Sequence, residues 1–580
     1  SDTEIKADNV KAEFLGGPLT ARGGIGGAQK GLQRHGNVTA KALTEYGGVA
    51  GLKRLQGQIP YRALVHRPHS RALAVTLDST LVGLGMDFPQ PLGKTSEQTL
   101  PLHLSWARDK PGGDADLNLS LGSNINVTLL HSTKNKTASY FYAGTAGVNQ
   151  KPAMLPAGMN VDVEYPELDA GLWKRIVDEF SVALPNTGAR RDRPLLPDVH
   201  QLRLQAKKVH FRELDLDQAT FTARQPEPMQ WRVDVSSSQT AGTLFWREAQ
   251  GKIAGQVNAK FDRLALGQAA SDGDVDTVLP DDEAAPDPGD TLDIPAIDLQ
   301  VRAFSMYGHD FGQLSLVGVN QSRGELWRLD KLSLKGASTQ LTGSGAWRLK
   351  GPQRGLTLNA ALNTTDLGAY FDQLGFKNVM SGGAGSVKGQ IEWRNLPWTY
   401  EKSDLSGNLE FSLKKGRFSN INSKSARLLE LLSLQSIQRL ASFRFNPGSL
   451  LKDGFPYDNL RGTIKGDRGV MTTDNYRVTG PAGTIVIGGN VNLVNEKLDL
   501  QAVVVPNLDV SGAAIAAGIA INPIVGVGAF LTQWLLRGPL AKAMTVQYHV
   551  TGNWIDPQIK ELAHVKIPAA NESKKSPGAK

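Results

Sequence analysis

The chain has 580 residues and no cysteine, which excludes disulfides, thiolate nucleophiles and cysteine-ligated zinc. Hydrophobic residues make up 40% and charged residues 21%, a balance that excludes wholesale disorder. The net charge of +8 is spread thinly and defines no nucleic-acid surface, while 62 Gly and 30 Pro predict many turns and few long helices.

The first residues, SDTEIKADNVKAEFLGG, hold neither the basic nor the apolar region of a secretory leader. They already alternate like a strand, which predicts that a preceding segment has been removed, with any export signal or anchor in it. Alternating segments recur from there onward: VTAKA from Val38, LRLQA from Leu202, LTLNA from Leu356 and LDLQAV from Leu498. Period-two alternation gives each strand one apolar and one polar face. A glycine-containing variant returns at irregular intervals as LQGQIPY (55–61), LTGSGAW (341–347), VKGQIEW (387–393), IGGNVNL (487–493) and VTGNW (550–554). Glycine inside a strand permits a bulge or bend, so the sheet is expected to curve.

Helix signals are few. Residues 166–180 start at Pro166 and place Leu168, Leu172, Trp173, Ile176 and Phe180 at helical spacing. The following 185–197, with Arg190, Arg191 and Arg193 between prolines, read as a loop. Residues 366–376 form a second, short candidate. Residues 422–443 form a third, whose leucines, from Leu428 to Leu440, surround the helix, as in one buried or set against lipid. Between them, 267–293 carry nine acidic residues and no basic one, interspersed with Pro and Gly, which predicts a mobile linker. It lacks the residue order of a calcium loop.

Residues 510–536 hold no formal charge. Asn522-Pro523 divides them into halves too short to span a bilayer as helices, and Arg537-Gly538-Pro539 ends the second half. After it, MTVQYHVTGNW (544–554) returns to strand alternation. The expectation is a helical hairpin that covers one end of the sheet or dips into a membrane surface; a buried plug without lipid contact is the competing reading. Four segments result: 1–266, the linker 267–293, 294–562 with helices at about 422–443 and 510–536, and a polar, lysine-rich tail over 563–580 that is expected to be disordered.

No catalytic constellation emerges. His66 and His69 are separated by Arg67-Pro68, which breaks metal-binding helical geometry. The glycines from Gly23 to Gly27 lack the spacing and ending of a phosphate loop. Phe411 and Phe418 near Lys414, Lys415 and Arg417 read as a solvated hairpin tip, not a nucleic-acid module. No enzyme activity, cofactor, metal or nucleic-acid partner is therefore expected. The expected fold is mainly β: a long, twisted, curved antiparallel sheet that forms an open groove, with a few short helices near the C-terminal end. One-sided strands with few helices to cover them must cover themselves or hold something greasy. The residues expected to line the groove are Leu341, Leu356, Leu358, Leu362, Ile485, Ile487, Leu498, Leu500 and Val503.

The stretch 294–557 resembles the C-terminal region of large AsmA-like proteins of Gram-negative bacteria, the YhdP type. The resemblance is carried by DLGAYFDQLGF (366–376), GQIEWRNLPW (389–398), GRFSNINSKSARLLELLSLQSIQRL (416–440), GFPYDNLRGTI (454–464), MTTDNYRVTGPAGTIVIGGNVNLVNEKLDLQAVVVP (471–506) and INPIVGVGAFLTQWLLRGPLAKA (521–543). Residues before about 270 resemble the family's more variable middle by pattern only. The resemblance implies a periplasmic protein anchored in the inner membrane by an N-terminal helix absent from this sequence. It further implies phospholipid movement between inner and outer membranes along repeating β-groove units, in support of the outer-membrane permeability barrier. No catalytic residues carry over. The implied membrane-contact residues at the C-terminal end, towards the outer membrane, are Ile515, Ile519, Ile524, Val525, Phe530, Leu531, Trp534 and Leu535. The competing function is an envelope assembly or structural factor that binds outer-membrane proteins or peptidoglycan, which would add envelope proteins to phospholipids and membranes as partners.

Overall fold

The computed structural model describes residues 5–25, 31–67, 72–110, 113–134, 139–181, 194–211, 214–267, 294–351, 353–374, 377–394, 401–418, 455–481, 483–506, 546–553 and 556–563. The expected linker, all but its first residue, the expected helices at 422–443 and 510–536, the body of the 185–197 loop and the tail beyond residue 563 lie outside them. The chain falls into two units by contact, residues 1–248 with 260–264, and residues 249–259 with 265–580.

The first unit is a sheet of β1 (Ile5–Phe14), β2 (Gly17–Ile25), β3 (Gly31–Thr39), β4 (Leu55–His66), β5 (Ala74–Ser79), β6 (Leu84–Met86), β7 (Leu102–Arg108), β8 (Ala115–Leu121), β9 (Ile125–His131), β10 (Ala143–Val148), β11 (Gly158–Asp169), β12 (Val199–Phe211), β13 (Leu214–Glu227), β14 (Gln230–Ser236) and β15 (Thr240–Arg247). Helix α1 (Ala40–Gly47) follows β3 and α2 (Ala170–Ser181) follows β11. The sheet is mixed, not purely antiparallel as expected: β10 runs parallel to β11, and β11 parallel to β12. A parallel pair needs a crossover connection, and α2 lies in the one between β11 and β12. The Thr39 hydroxyl caps α1 by accepting from the Ala42 amide at 3.2 Å, and Gly48, at φ 69°, ends it.

The helix expected from residue 166 starts four residues later. Glu167, Leu168 and Asp169 remain in β11, paired with Lys208, Val209 and His210, and Leu168 is buried. Ladder hydrogen bonds and burial there outweigh the local helical spacing. The Asp169 carboxylate then accepts from the Leu172 amide at 2.7 Å and caps α2. At the far end of α2, Glu179 takes both guanidinium arms of Arg54 at 2.7 Å, and Phe180 stacks on Phe88.

At the β12–β13 turn, His210 sits between Glu167 (2.8 Å) and Asp215 (2.6 Å), and Lys208 also reaches Asp215 (3.2 Å). The hydrogen bonds to Glu167 and then Asp215 raise the His210 pKa. A raised folded pKa gives stability that is fully present below the unfolded value, about 6.5, and is lost as pH rises through the folded value. Amide-exchange protection in the β12–β13 hairpin is expected to fall on going from about pH 6 to about pH 9. In His210→Gln that step should be absent; an unchanged step would assign it to another group.

The second unit is an antiparallel meander: β17 (Ala296–Met306), β18 (His309–Ser322), β19 (Leu326–Lys335), β20 (Thr339–Arg348), β21 (Gly355–Thr364), β22 (Met380–Trp393), β23 (Leu405–Phe418), β24 (Phe455–Asp467), β25 (Val470–Gly480), β26 (Gly483–Asn492), β27 (Lys497–Pro506), β28 (Val546–Asn553) and β29 (Asp556–Ala563). The preceding β16 (Gln256–Leu266) has residues in each unit. Each strand from β17 to β29 pairs with the next in sequence, and among the described residues no pairing closes β29 back onto β17, so the sheet is open. Two hairpins turn on two left-handed residues, Tyr307-Gly308 and Arg468-Gly469, the geometry that matches strand twist.

Helix α3 (Leu367–Gln373) lies within the candidate at 366–376. The Asp366 carboxylate caps it by accepting from the Ala369 amide at 2.9 Å. Leu367 is buried in a cluster with Met380 and Tyr457, and Tyr370 and Phe371 pack against that cluster.

Candidate functional site: an apolar sheet face

Directly opposed residues in an antiparallel pair share a face, so the register assigns every side chain of the second unit. From β20 to β22, Leu341 pairs with Leu362 and Leu362 with Val387; Leu358 lies between Gly345 and Ile391, and Leu356 between Trp347 and Trp393. The same face runs back through Leu332 and Leu334 to Leu314, Leu316 and Val301, and forward through Phe411 and Leu413 to Leu460, Val478 and Ile485. It continues through Val504, Ala502 and Leu500 to Val550 and Ile559. The opposite face of β21 to β23 is polar, with Asn359, Gln390 and Asn408 in one row and Lys388 bridged to Glu410 at 3.4 Å.

Four of the nine residues expected to line a groove, Leu341, Leu356, Leu358 and Leu362, lie on this face on neighbouring strands and are half-buried. Ile485, Ile487, Leu498 and Leu500 lie on the same face farther along; the first three are buried and Leu500 is half-buried. Val503 does not join them: it pairs with Val486 and Gln547 on the other face. That second face is itself buried here, with Val486, Val503, Val505 and Thr484 all at 2% exposure or less. The apolar face therefore changes character along the unit, half-open over β20 to β22 and packed over β25 to β27.

Several buried residues of this face escaped the sequence reading, among them Trp327, Trp347, Tyr457, Tyr476 and Tyr548, and Phe411 and Phe418, expected at a solvated hairpin tip, instead lie in β23 and are buried in the core cluster. A signal existed for some: Trp347 lies six residues from Leu341 on one strand, in phase with it. For others the phase changes within the strand. β19 passes from Trp327 and Leu329 to Leu332 and Leu334, with a register shift between Leu329 and Leu332 that keeps both pairs facing inward. A comparable shift lies between Thr473 and Tyr476.

The most elaborate phase change crosses three strands. In β22, Gly385 and Val387 face inward at odd positions, but beyond Gly382 and Gly383, both with positive φ, it is Met380 that joins the core. In β23 the switch falls at Lys415, φ 53°, so that Phe418 as well as Leu413 is inward. In β24, Tyr457 and Phe455 join Leu460. The Tyr457 ring then lies over Gly416, whose hypothetical Cβ would come within 2.3 Å of the Tyr457 hydroxyl. That hydroxyl is buried with no hydrogen-bond partner among the described residues. Burial, reinforced by Asp366, raises its pKa above the usual phenol range.

The expected membrane-contact residues Ile515, Ile519, Ile524, Val525, Phe530, Leu531, Trp534 and Leu535 lie outside the described residues. Among the described residues no helix is long and apolar enough to cross a membrane.

These features define a class: a predominantly β protein whose second unit is an open sheet carrying one apolar face from strand to strand. The family described as YhdP protein matches residues 1–559, and the chain belongs to that family. Over 279 residues it is 32% identical to the intermembrane phospholipid transporter YhdP of Escherichia coli (strain K12), a match that covers 46% of this chain and 21% of that relative. The chain thus spans about a fifth of the length of the curated relative it matches. No solved structure matches it.

Proposed function

We propose that the protein carries phospholipid between the inner and outer membranes, with acyl chains lying on the apolar face of the second unit and headgroups in water. The observation that carries this reading is the half-buried leucine surface of β20 to β22, in register with apolar residues on every strand of that unit. Each methylene laid on such a surface gains about 0.8 kcal/mol relative to water. Repetition of the same surface from strand to strand keeps neighbouring positions nearly equal in energy, which suits sliding. Gly343, Ala360 and Gly389 form one row of small residues on that face, leaving the backbone as a floor against which a chain can rest. The relative's role as an intermembrane phospholipid transporter supports the same assignment. The setting that goes with it is the periplasm, with an inner-membrane anchor, the C-terminal end towards the outer membrane, and a contribution to the outer-membrane permeability barrier.

Protein purified without detergent is expected to release phospholipid on solvent extraction and to show lipid adducts by native mass spectrometry. A lipid-free chain that also takes up no labelled phospholipid from vesicles would overturn the proposal. A peptide or glycan retained in place of lipid would favour an envelope assembly role.

A further inference from the structure

The first unit carries a different feature on its polar face. Its register lines up one residue from each of six strands in a single row: Thr20, His35, Arg62, Asp78, His103 and Ser120. Neighbours in such a row have Cβ atoms about 5 Å apart. All six line a cavity of about 860 Å³ that opens to solvent. The alternation places them opposite the apolar side of the same strands, where Leu32, Val38, Tyr61 and Val65 are buried. The cleft thus lies within the first unit, on the side of these strands away from their buried apolar residues.

The charges in the row are unevenly satisfied. Asp78 accepts from His103 at 2.7 Å, a pair that neutralises itself when the imidazole is protonated. His35 and Arg62 pair directly across β3 and β4, and among the described residues neither has an ion pair or side-chain hydrogen bond. Two unsatisfied nitrogen donors side by side, with the Thr20 hydroxyl next to His35 in the row and Asp78 next to Arg62, suit a tetrahedral oxyanion. A guanidinium matches phosphate bidentately, and such charge-assisted bonds are stronger than neutral ones.

We propose that this cleft binds a phosphate group, presented either by a soluble phosphate ester or by a lipid headgroup at a membrane surface. Arg62 holds two phosphate oxygens, His35 a third, and the Thr20 hydroxyl completes the shell, with Asp78 limiting affinity by its negative charge.

The test is calorimetric titration of the whole chain with inorganic phosphate and with glycerol 3-phosphate, beside flotation with phosphatidylcholine vesicles doped with phosphatidic acid. Variants R62Q and D78N replace solvent-exposed side chains, and far-UV circular dichroism checks their fold. Saturable binding is expected, weakened about tenfold in R62Q and tightened in D78N. Binding of the soluble anions without vesicle capture identifies a soluble ester as the ligand. Vesicle capture that is lost in R62Q identifies a headgroup. The proposal is overturned if neither form binds at up to about 10 mM phosphate, or if R62Q binds as tightly as the unsubstituted chain.

Discussion

Leu358→Asp is expected to slow phospholipid transfer by about a hundredfold while leaving the sheet folded. Leu358 is half-buried on β21, between Gly345 and Ile391 on the neighbouring strands. Because Leu358 is only half-buried, a carboxylate there keeps access to water, and the backbone ladder does not depend on the Leu358 side chain. An acyl chain crossing this point would have to desolvate an ionised carboxylate without a partner, a cost of several kcal/mol at least. About 2.7 kcal/mol of added barrier is enough for a hundredfold. Transfer of fluorescent phospholipid between vesicles, beside the circular dichroism and melting profile of the variant, measures both halves. Unchanged transfer by a folded Leu358→Asp protein would mean that lipid does not pass over β21. A Leu358→Ala control, which keeps the surface apolar, should stay close to the unsubstituted rate.

Gly416→Ala should destabilise the second unit by about 1–3 kcal/mol, the usual cost of forcing a methyl group into a packed core. The added carbon would stand 2.3 Å from the Tyr457 hydroxyl and 2.4 Å from the ring carbon that bears it. Tyr457 is 2% exposed and pairs with Gly416 across β23 and β24, so the ring has nowhere to retreat. Tyr457→Phe should act in the other direction. It removes a buried hydroxyl that has no partner among the described residues, and stability should rise by about 1 kcal/mol. Amide-exchange protection in β22 to β24 reads both effects locally, which matters in a chain of two units. If Gly416→Ala were neutral, the packing of Tyr457 on the strand backbone would be wrong. If Tyr457→Phe were destabilising, its hydroxyl would have a bonding role.

Both outcomes turn on where alternation is kept and where it breaks. Leu356, Leu358 and Leu362 could be placed on one face from LTLNAALN alone, because every second residue of a strand must face the same way. The expectation for Val503 departs from that rule, since Val503 lies three residues from Leu500 and so in the opposite phase. In LDLQAVVV (498–505) the three successive valines offer two phases, and the register selects Ala502 and Val504 to continue the face of Leu500. Nor does alternation alone reveal that Trp327 and Leu332 face the same side, or that Met380 and Phe418 join Phe411 in one cluster. Those placements depend on register shifts and left-handed residues that only the pairing of strands brings out. The start of α2 was missed for a related reason, since Leu168 fits a helix locally but is held in β11 by β12.

The sequence by itself determined that this is a β protein with one-sided strands, that a short helix lies within 366–376, and which family's motifs it carries. Those properties follow from short-range periodicity and capping, which each segment holds in its own residues. The tertiary structure alone decided that β10 to β12 run parallel, that both faces of β25 to β27 are buried, and that His35 and Arg62 meet beside Asp78 and His103. The reason is physical: strand direction, burial of a second face and cross-strand neighbours are set by partners distant in sequence, which local pattern does not encode.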